Sequence, residues 1–151
     1  MPTKYKGTEA EKQALNVYIK LQRAAETTLA HTTAHLIDYN LSISQFAVLE
    51  ALYHLGTLSQ RDLAEKLLKS TGNMSIVLKN MEKRGLISRE RDPVDNRFMQ
   101  VCITEDGRQL IGGMFDKHVA GIVAEMSILT PEELEELARF CRKLGLRQGE
   151  N

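Results

Sequence analysis

The chain has 151 residues with 20 basic and 20 acidic side chains, so its formal net charge is zero. This length suits one domain with a hydrophobic core, and no apolar run approaches the ~18 residues of a membrane-spanning helix. The first residues lack the apolar stretch of a secretory signal, and two cysteines do not make a disulfide framework, which together predict a cytoplasmic protein with no membrane partner.

The charges are unevenly distributed along the chain. Residues 57–103 hold nine basic and six acidic groups, whereas residues 104–151 hold six basic and nine acidic groups. From Lys69 to Arg91 there are six basic groups against two acidic ones. Local potential at a contact surface decides whether a protein attracts phosphates, so the middle of the chain favours a nucleic-acid partner despite the neutral total.

Two helices are predicted before this basic region. The first covers residues 8–38, with Thr8 as its cap and Asn40 closing it. The second begins after the cap residue Ser42 and ends at Gly56. Both carry apolar residues at helical spacing, which indicates that each packs one face against other parts of the protein.

Two histidines lie four residues apart in the first helix. His31 and His35 therefore share one face at a spacing compatible with zinc, but two ligands do not make a site. His54 or His118 would have to join them in space. The alternative is a pair of polar histidines beside solvent or a dimer seam. We therefore expect no metal and no cofactor, with His31 and His35 as the nearest candidates for a metal ligand.

Residues 59–84 have the pattern of a helix-turn-helix. Ser59 caps a first short helix, a polar turn follows at residues 69–72, and Ser70 or Thr71 caps a second helix that Gly85 ends. Each helix has one apolar face, formed in the first by Leu63, Ala64, Leu67 and Leu68 and in the second by Met74, Val77, Leu78 and Met81.

The start and outward face of the second helix have residue types that suit DNA contact: Ser70, Thr71, Gly72, Asn73, Ser75, Ile76 and Lys79. In such motifs the N-terminal residues of the second helix meet base edges. Asn73 could pair with adenine, Ser75 with any base, and Ile76 or Thr71 with a thymine methyl. The alternative is the solvated face of an ordinary helical hairpin.

A short β-hairpin is predicted over residues 88–103. Strand candidates at residues 86–91 and 98–103 flank a loop rich in turn-forming residues. Arg89, Arg91 and Arg97 lie on or beside this loop. A projecting basic loop next to a helix-turn-helix is a wing, and an arginine at its tip suits the strong negative potential of a narrow minor groove.

The segment Asp92–Gly107 resembles the wing signature of the MarR family of bacterial transcription regulators, Asp-Pro-x-Asp-x-Arg, a strand, then Leu-Thr-x-x-Gly, with Ile103 in the leucine position. Residues 45–49, 62–64 and 81–87 also fit the family. The resemblance implies that Asp95 orients Arg97, which enters the minor groove. One departure is Ile76, where many relatives carry a basic residue, so a base preference cannot be transferred.

The fold class expected is mainly α with a small β-wing, as one MarR-type domain over residues 10–145. Residues 104–145 are predicted to form two further helices, the last capped by Thr130 with Pro131 at its first position. Together with residues 8–38 they carry more apolar surface than one small winged domain covers. They would interlock with a second copy, or alternatively close an intramolecular bundle.

These features predict a DNA-binding transcriptional regulator that binds a palindromic operator as a homodimer, and the family resemblance implies that it is a repressor. Relatives release DNA in response to a small phenolic compound, a metal or an oxidant. Cys102 and Cys141 are predicted to be small core residues, so the expected effector is a phenol- or quinone-like aromatic compound bound between the first, second and fifth helices. No nucleophile elbow, phosphate loop or three-ligand metal motif indicates an enzyme. A winged protein-interaction module without sequence-specific DNA binding is the alternative.

Overall fold

The computed structural model describes residues 4–146, which are mostly helical with one small antiparallel sheet. No helix in this range is long and apolar enough to cross a bilayer. The elements in chain order are α1 (Glu9–Thr33), a 3-10 helix (Ala34–Tyr39), α2 (Ile43–Leu55), β1 (Leu58–Ser59), α3 (Gln60–Lys66), α4 (Thr71–Lys83), β2 (Ile87–Arg91), β3 (Met99–Ile103), α5 (Glu105–Met126) and α6 (Pro131–Gly145).

The chain divides into two compact units. Residues 33–118 form the first, which contains the helix-turn-helix, the sheet and the whole hydrophobic core. Its fully buried side chains come from α2, α3, α4, the sheet and α5, and they include Leu49, Leu52, Leu63, Met74, Leu78, Met81, Val101, Ile111 and Met114. A core of this kind fixes α4 by its apolar face and leaves its polar face outside.

The second unit combines the residues before Thr33 with those after His118. Among its described residues only Thr32 is buried. Helix α6 is well capped, since Thr130 and Glu133 form a reciprocal capping box and Pro131 begins the helix, but none of its residues is buried. The apolar side chains of this unit that remain largely exposed include Val17, Tyr18, Leu29, Val123, Leu137, Phe140 and Leu144.

The predicted end of the first helix was wrong. The first α-helix ends at Thr33 rather than near Asp38, and a 3-10 helix follows. Thr32 contributes to this change because its hydroxyl donates to the carbonyl oxygen of Thr28 at 2.8 Å, a back-bond that disfavours a straight α-helix. Asn40 closes the 3-10 helix in the left-handed conformation, with φ at 52°.

Two further corrections concern a strand boundary and a cysteine. Phe98 belongs to the turn and not to the strand, because its N–H donates to the carbonyl of Asp95 and its own carbonyl accepts from the N–H of Asp92. Cys141 is exposed rather than in a core, since α6 buries nothing within the single chain. Cys102 is half-buried, and its sulfur accepts from the Thr57 hydroxyl at 3.3 Å.

The sheet has three strands in the order β1–β3–β2, one more than the predicted hairpin. Strand β1 pairs Leu58 with Val101 and is too short to show a periodic pattern in the sequence. Thr104 joins the sheet to α5, since its hydroxyl donates to the carbonyl of Gly85 at 2.6 Å and accepts from the N–H of Gly107. A Cβ at Gly107 would clash with the carbonyl oxygen of Leu86, which explains the glycine in the Thr-x-x-Gly sequence.

Candidate nucleic-acid interface

Helix α4 presents a polar face anchored by a buried one. It begins after Ser70, whose hydroxyl accepts from the N–H of Asn73 at 3.2 Å, so Ser70 and not Thr71 is the cap. Met74, Leu78 and Met81 are fully buried and hold the helix in the core. The predicted contact residues emerge on the other side: Thr71, Gly72, Asn73, Ile76 and Lys79 are exposed, and Ser75 is half-buried.

The turn before α4 is strained at Leu68. Its φ is 51°, in the left-handed region that disfavours side chains with a Cβ, and its side chain is 92% exposed. This position turns the chain from α3 into Ser70, and the N–H of Lys69 donates to the carbonyl of Ala64 at 2.9 Å. The sequence placed Leu68 on the apolar face of α3, which is wrong, because the helix ends at Lys66 and the turn points this residue into solvent.

Two aspartates shape the wing loop. One carboxylate oxygen of Asp92 accepts from the N–H groups of Val94 at 2.8 Å and Asp95 at 3.0 Å, and the other accepts from the side-chain amide of Gln100. An aspartate that bonds to the backbone two and three residues later stabilises a turn. The loop between β2 and β3 is therefore held in one conformation by its own residues.

Both carboxylate oxygens of Asp95 accept hydrogen bonds from the Arg97 side chain. The Nε of Arg97 donates to Oδ1 at 2.9 Å and its Nη2 donates to Oδ2 at 2.7 Å, while its backbone N–H also reaches Oδ1. This forked pairing fixes the plane of the guanidinium, yet 83% of the Arg97 side chain remains exposed. The resemblance to MarR proteins implied this pairing, and both hydrogen bonds between the two side chains are present in the structure.

The same hydrogen bonds shift the pKa values of the wing carboxyls. The Arg97 side chain, followed by the Arg97 backbone N–H, lowers the pKa of Asp95, and the pKa of Arg97 is raised in turn. The backbone N–H of Asp95, then the amide of Gln100 and the N–H of Val94, lower the pKa of Asp92. Both carboxylates thus stay ionised at neutral pH and hold the loop.

The other two predicted wing arginines have different surroundings. Arg89 donates to Oε2 of Glu82 from Nε at 3.1 Å and from Nη2 at 2.8 Å, and only 19% of its side chain is exposed. It therefore ties β2 to the end of α4. Arg91 is exposed, and its Nη1 donates to the carbonyl of Asn96 at 2.8 Å. Arg91 and Arg97 are thus the cations that the wing presents to solvent.

Four residues of this surface were not selected from the sequence. Asp92 and Gln100 build the loop, Glu82 engages Arg89, and Arg84 donates to the carbonyl of Asn40 at 2.7 Å. The Asp-Pro step before the loop was a signal for Asp92, because aspartate before proline often begins a turn. Gln100, Glu82 and Arg84 pair with residues that are separated from them along the chain and are brought close only by the fold, so no local pattern reveals these pairings.

The histidines lie apart from the wing. His31 is exposed, and its Nδ1 lies 3.0 Å from a carboxylate oxygen of Glu125. His118 is buried against the rings of Phe46 and His35, with centroids 4.5 and 5.2 Å away, and its Nδ1 has no hydrogen-bond partner among the described residues. Within residues 4–146 no group of three His, Cys, Asp or Glu side chains is arranged to hold a metal ion.

Comparison with known proteins agrees with this geometry. The family model described as "MarR family" matches residues 41–98. The regulator MhqR of Bacillus subtilis is 32% identical over 134 residues, which span 89% of this chain and 92% of that protein.

Solved structures share the fold. BpsR of Bordetella bronchiseptica, whose DNA binding is regulated by 6-hydroxynicotinic acid, is 27% identical with a TM-score of 0.78 over 87% of this chain and 99% of that one. Sco3205 of Streptomyces coelicolor, solved in complex with DNA, is 24% identical with a TM-score of 0.84 over 97% of this chain and 94% of that one. At this identity the similarity shows a shared fold and nothing more. The chain therefore belongs to the MarR family of DNA-binding transcriptional regulators, which are not enzymes.

Proposed function

We propose that this protein represses transcription in the cytoplasm by binding a palindromic operator as a homodimer, with α4 in the major groove and the wing in the minor groove. The observation that carries the proposal is the Arg97 guanidinium on the wing loop, which Asp95 orients and which is still exposed. An oriented cation on a projecting loop suits the negative potential of a narrow minor groove.

Roles for the individual residues follow from their chemistry and exposure. Asn73 would read adenine and Ser75 would bond to a base edge, whereas Ile76 and Thr71 would contact thymine methyl groups. Cations and the helix start position the protein on the phosphates without reading sequence, a role that suits Ser70, Gly72, Lys79 and Arg91. Arg89 would act through Glu82, by holding the wing strand against α4.

The homodimer is supported by the apolar surface of the terminal helices. Val17, Tyr18, Leu137, Phe140 and Leu144 are all more than two-fifths exposed in the single chain. Burying such side chains stabilises an assembly by about 25 cal/mol per Å², so a second copy would cover them favourably. Residues 10–145 would then act as one functional domain, with recognition helices ~34 Å apart in successive major grooves.

An aromatic effector is supported by the cluster around His118. Rings of Phe46, Phe115, His35 and His54 gather there, and the buried Nδ1 of His118 would gain a hydrogen bond from a phenolic hydroxyl. BpsR, which is similar to this chain, responds to a hydroxylated aromatic acid. A compound of that class entering this cluster would shift helices α2 and α5 and thereby change DNA affinity.

Selection of bound fragments from random DNA tests the proposal. A recovered palindrome with half-site centres about one helical turn apart is expected. Asn73→Ala should change the preferred sequence, whereas Arg97→Ala should weaken binding to all sequences. Failure to recover any sequence, with Arg97→Ala behaving like the wild type, would instead favour a winged protein-interaction module.

A further inference from the structure

A groove at the far end of α4 combines an aliphatic floor with a cationic rim. It has a volume of about 710 Å³ and lies between the 3-10 helix, the start of α2 and the last turn of α4. Its floor contains Leu36, Leu41 and Ile43, and Lys83 and Arg84 stand at its edge. It includes none of the aromatic residues around His118 and none of the predicted DNA contacts.

The charge in this groove is not neutralised. Arg84 donates to the carbonyl of Asn40 at 2.7 Å and to Oε1 of Gln45 at 3.2 Å, and both acceptors are uncharged. Neither Arg84 nor Lys83 has a carboxylate within ion-pair distance in the described part of the chain, and the lining contains no acidic residue. The guanidinium is thus held in place while its charge remains available to an anion.

The apolar part of the groove is unusually exposed. Ile37 is 81% exposed and Ile43 about half exposed, although both lie beside buried Leu36 and Leu41. No aromatic side chain lines this groove, so a flat ring would find no stacking partner there. An alkyl chain would instead cover the isoleucines and gain the favourable transfer of its methylenes out of water.

We propose that this groove binds an aliphatic carboxylate of about eight to ten carbons, with its alkyl chain over Ile37 and Ile43 and its carboxylate between Lys83 and Arg84. A volume of several hundred Å³ is ample for such a molecule. Its effect on DNA binding rests on the proposed function, in which α4 is the recognition helix. Asn80 and Lys83, which line the groove, belong to this helix. Occupancy would then alter the end of α4 and weaken DNA binding.

Calorimetric titration of the full-length protein with octanoate tests binding without DNA. A dissociation constant on the order of 1 mM or tighter is expected for a ligand of this size. Ile37→Asp and Lys83→Gln should each weaken octanoate binding about tenfold or more, whereas Ile128→Asp and Lys20→Gln, which make matched changes at exposed positions outside the groove, should not. Neutral 1-octanol should bind at least fivefold more weakly than octanoate.

The outcomes separate this inference from the proposed function. DNA binding by the unliganded protein is measured first. If the protein binds no DNA, the proposed function is refuted, and the octanoate titration still tests the groove by itself. Absence of octanoate binding to the wild type, or equal binding by Ile37→Asp and Lys83→Gln, would overturn the proposal. If octanoate does not bind and the Ile37→Asp variant is monomeric, the groove belongs to the dimer interface and the proposal of a ligand site is overturned.

Discussion

Replacing Arg97 by alanine tests the wing most directly. Its side chain is 83% exposed, and its ionic partner Asp95 is also partly open to solvent. An exposed ion pair contributes little to stability, so the melting temperature of Arg97→Ala should stay within roughly 3 °C of the wild type. Any larger loss of DNA binding therefore reports the contact with DNA and not unfolding.

The size of the effect follows from the number of wings. A dimer would lose two guanidinium groups, and each cation placed on a phosphate releases about 0.9 counterion equivalents from B-DNA. The slope of log affinity against log salt should therefore become shallower by about 1.8. Loss of one positioned arginine contact costs on the order of 1–3 kcal/mol, so loss of both should cost about 2–6 kcal/mol, which corresponds to a complex at least roughly 30-fold weaker.

Fluorescence anisotropy with a selected duplex, repeated across a salt series, measures both quantities. Arg23→Ala removes an exposed cation from α1 and serves as the control, with no expected change. Asp95→Asn keeps the Arg97 charge but weakens the fork that orients it, so affinity should fall while the salt slope stays unchanged. Wild-type affinity and wild-type slope in Arg97→Ala would refute the role of the wing.

Three further predictions concern the helix start and the wing. Gly72→Ala meets no steric obstacle and should stabilise the fold by up to about 1 kcal/mol in urea unfolding, yet weaken DNA binding; unchanged affinity would argue against close approach of DNA to this backbone. Leu68→Asn should raise stability by about 0.5–1 kcal/mol because asparagine tolerates φ near 51°, and a destabilised variant would contradict strain there. Since their pKa values are lowered, Asp92 and Asp95 support the wing above pH 3.8 and lose this effect as pH falls through their folded values; carboxyl carbon NMR titration midpoints at or above 3.8 would contradict this.

The local signals in the sequence were strong where one short segment decides the structure. Ser42, Ser59 and Thr130 each accept the expected backbone hydrogen bond, and the helices after them begin where those caps predict. The wing was predicted for the same reason, because its turn-forming residues lie within six positions of one another, whereas the Asp95–Arg97 pair was expected from the family resemblance. Capping, turn chemistry and periodicity act over a few residues and therefore remain visible in a single sequence.

Tertiary structure decided the features that join distant segments. Strand β1 forms by pairing with β3, where Leu58 lies opposite Val101. Arg89 of β2 is likewise paired with Glu82 of α4. The burial of His118 against Phe46 and the uncompensated cations beside Ile37 likewise depend on packing between elements. The sequence alone predicted the winged helix-turn-helix from capping, turn residues and apolar spacing, and it indicated the family through the resemblance of residues 92–107 to a known wing signature. Only the folded chain determined which charges pair between separate elements, because side-chain partners far apart along the chain are brought together by the packing of the core.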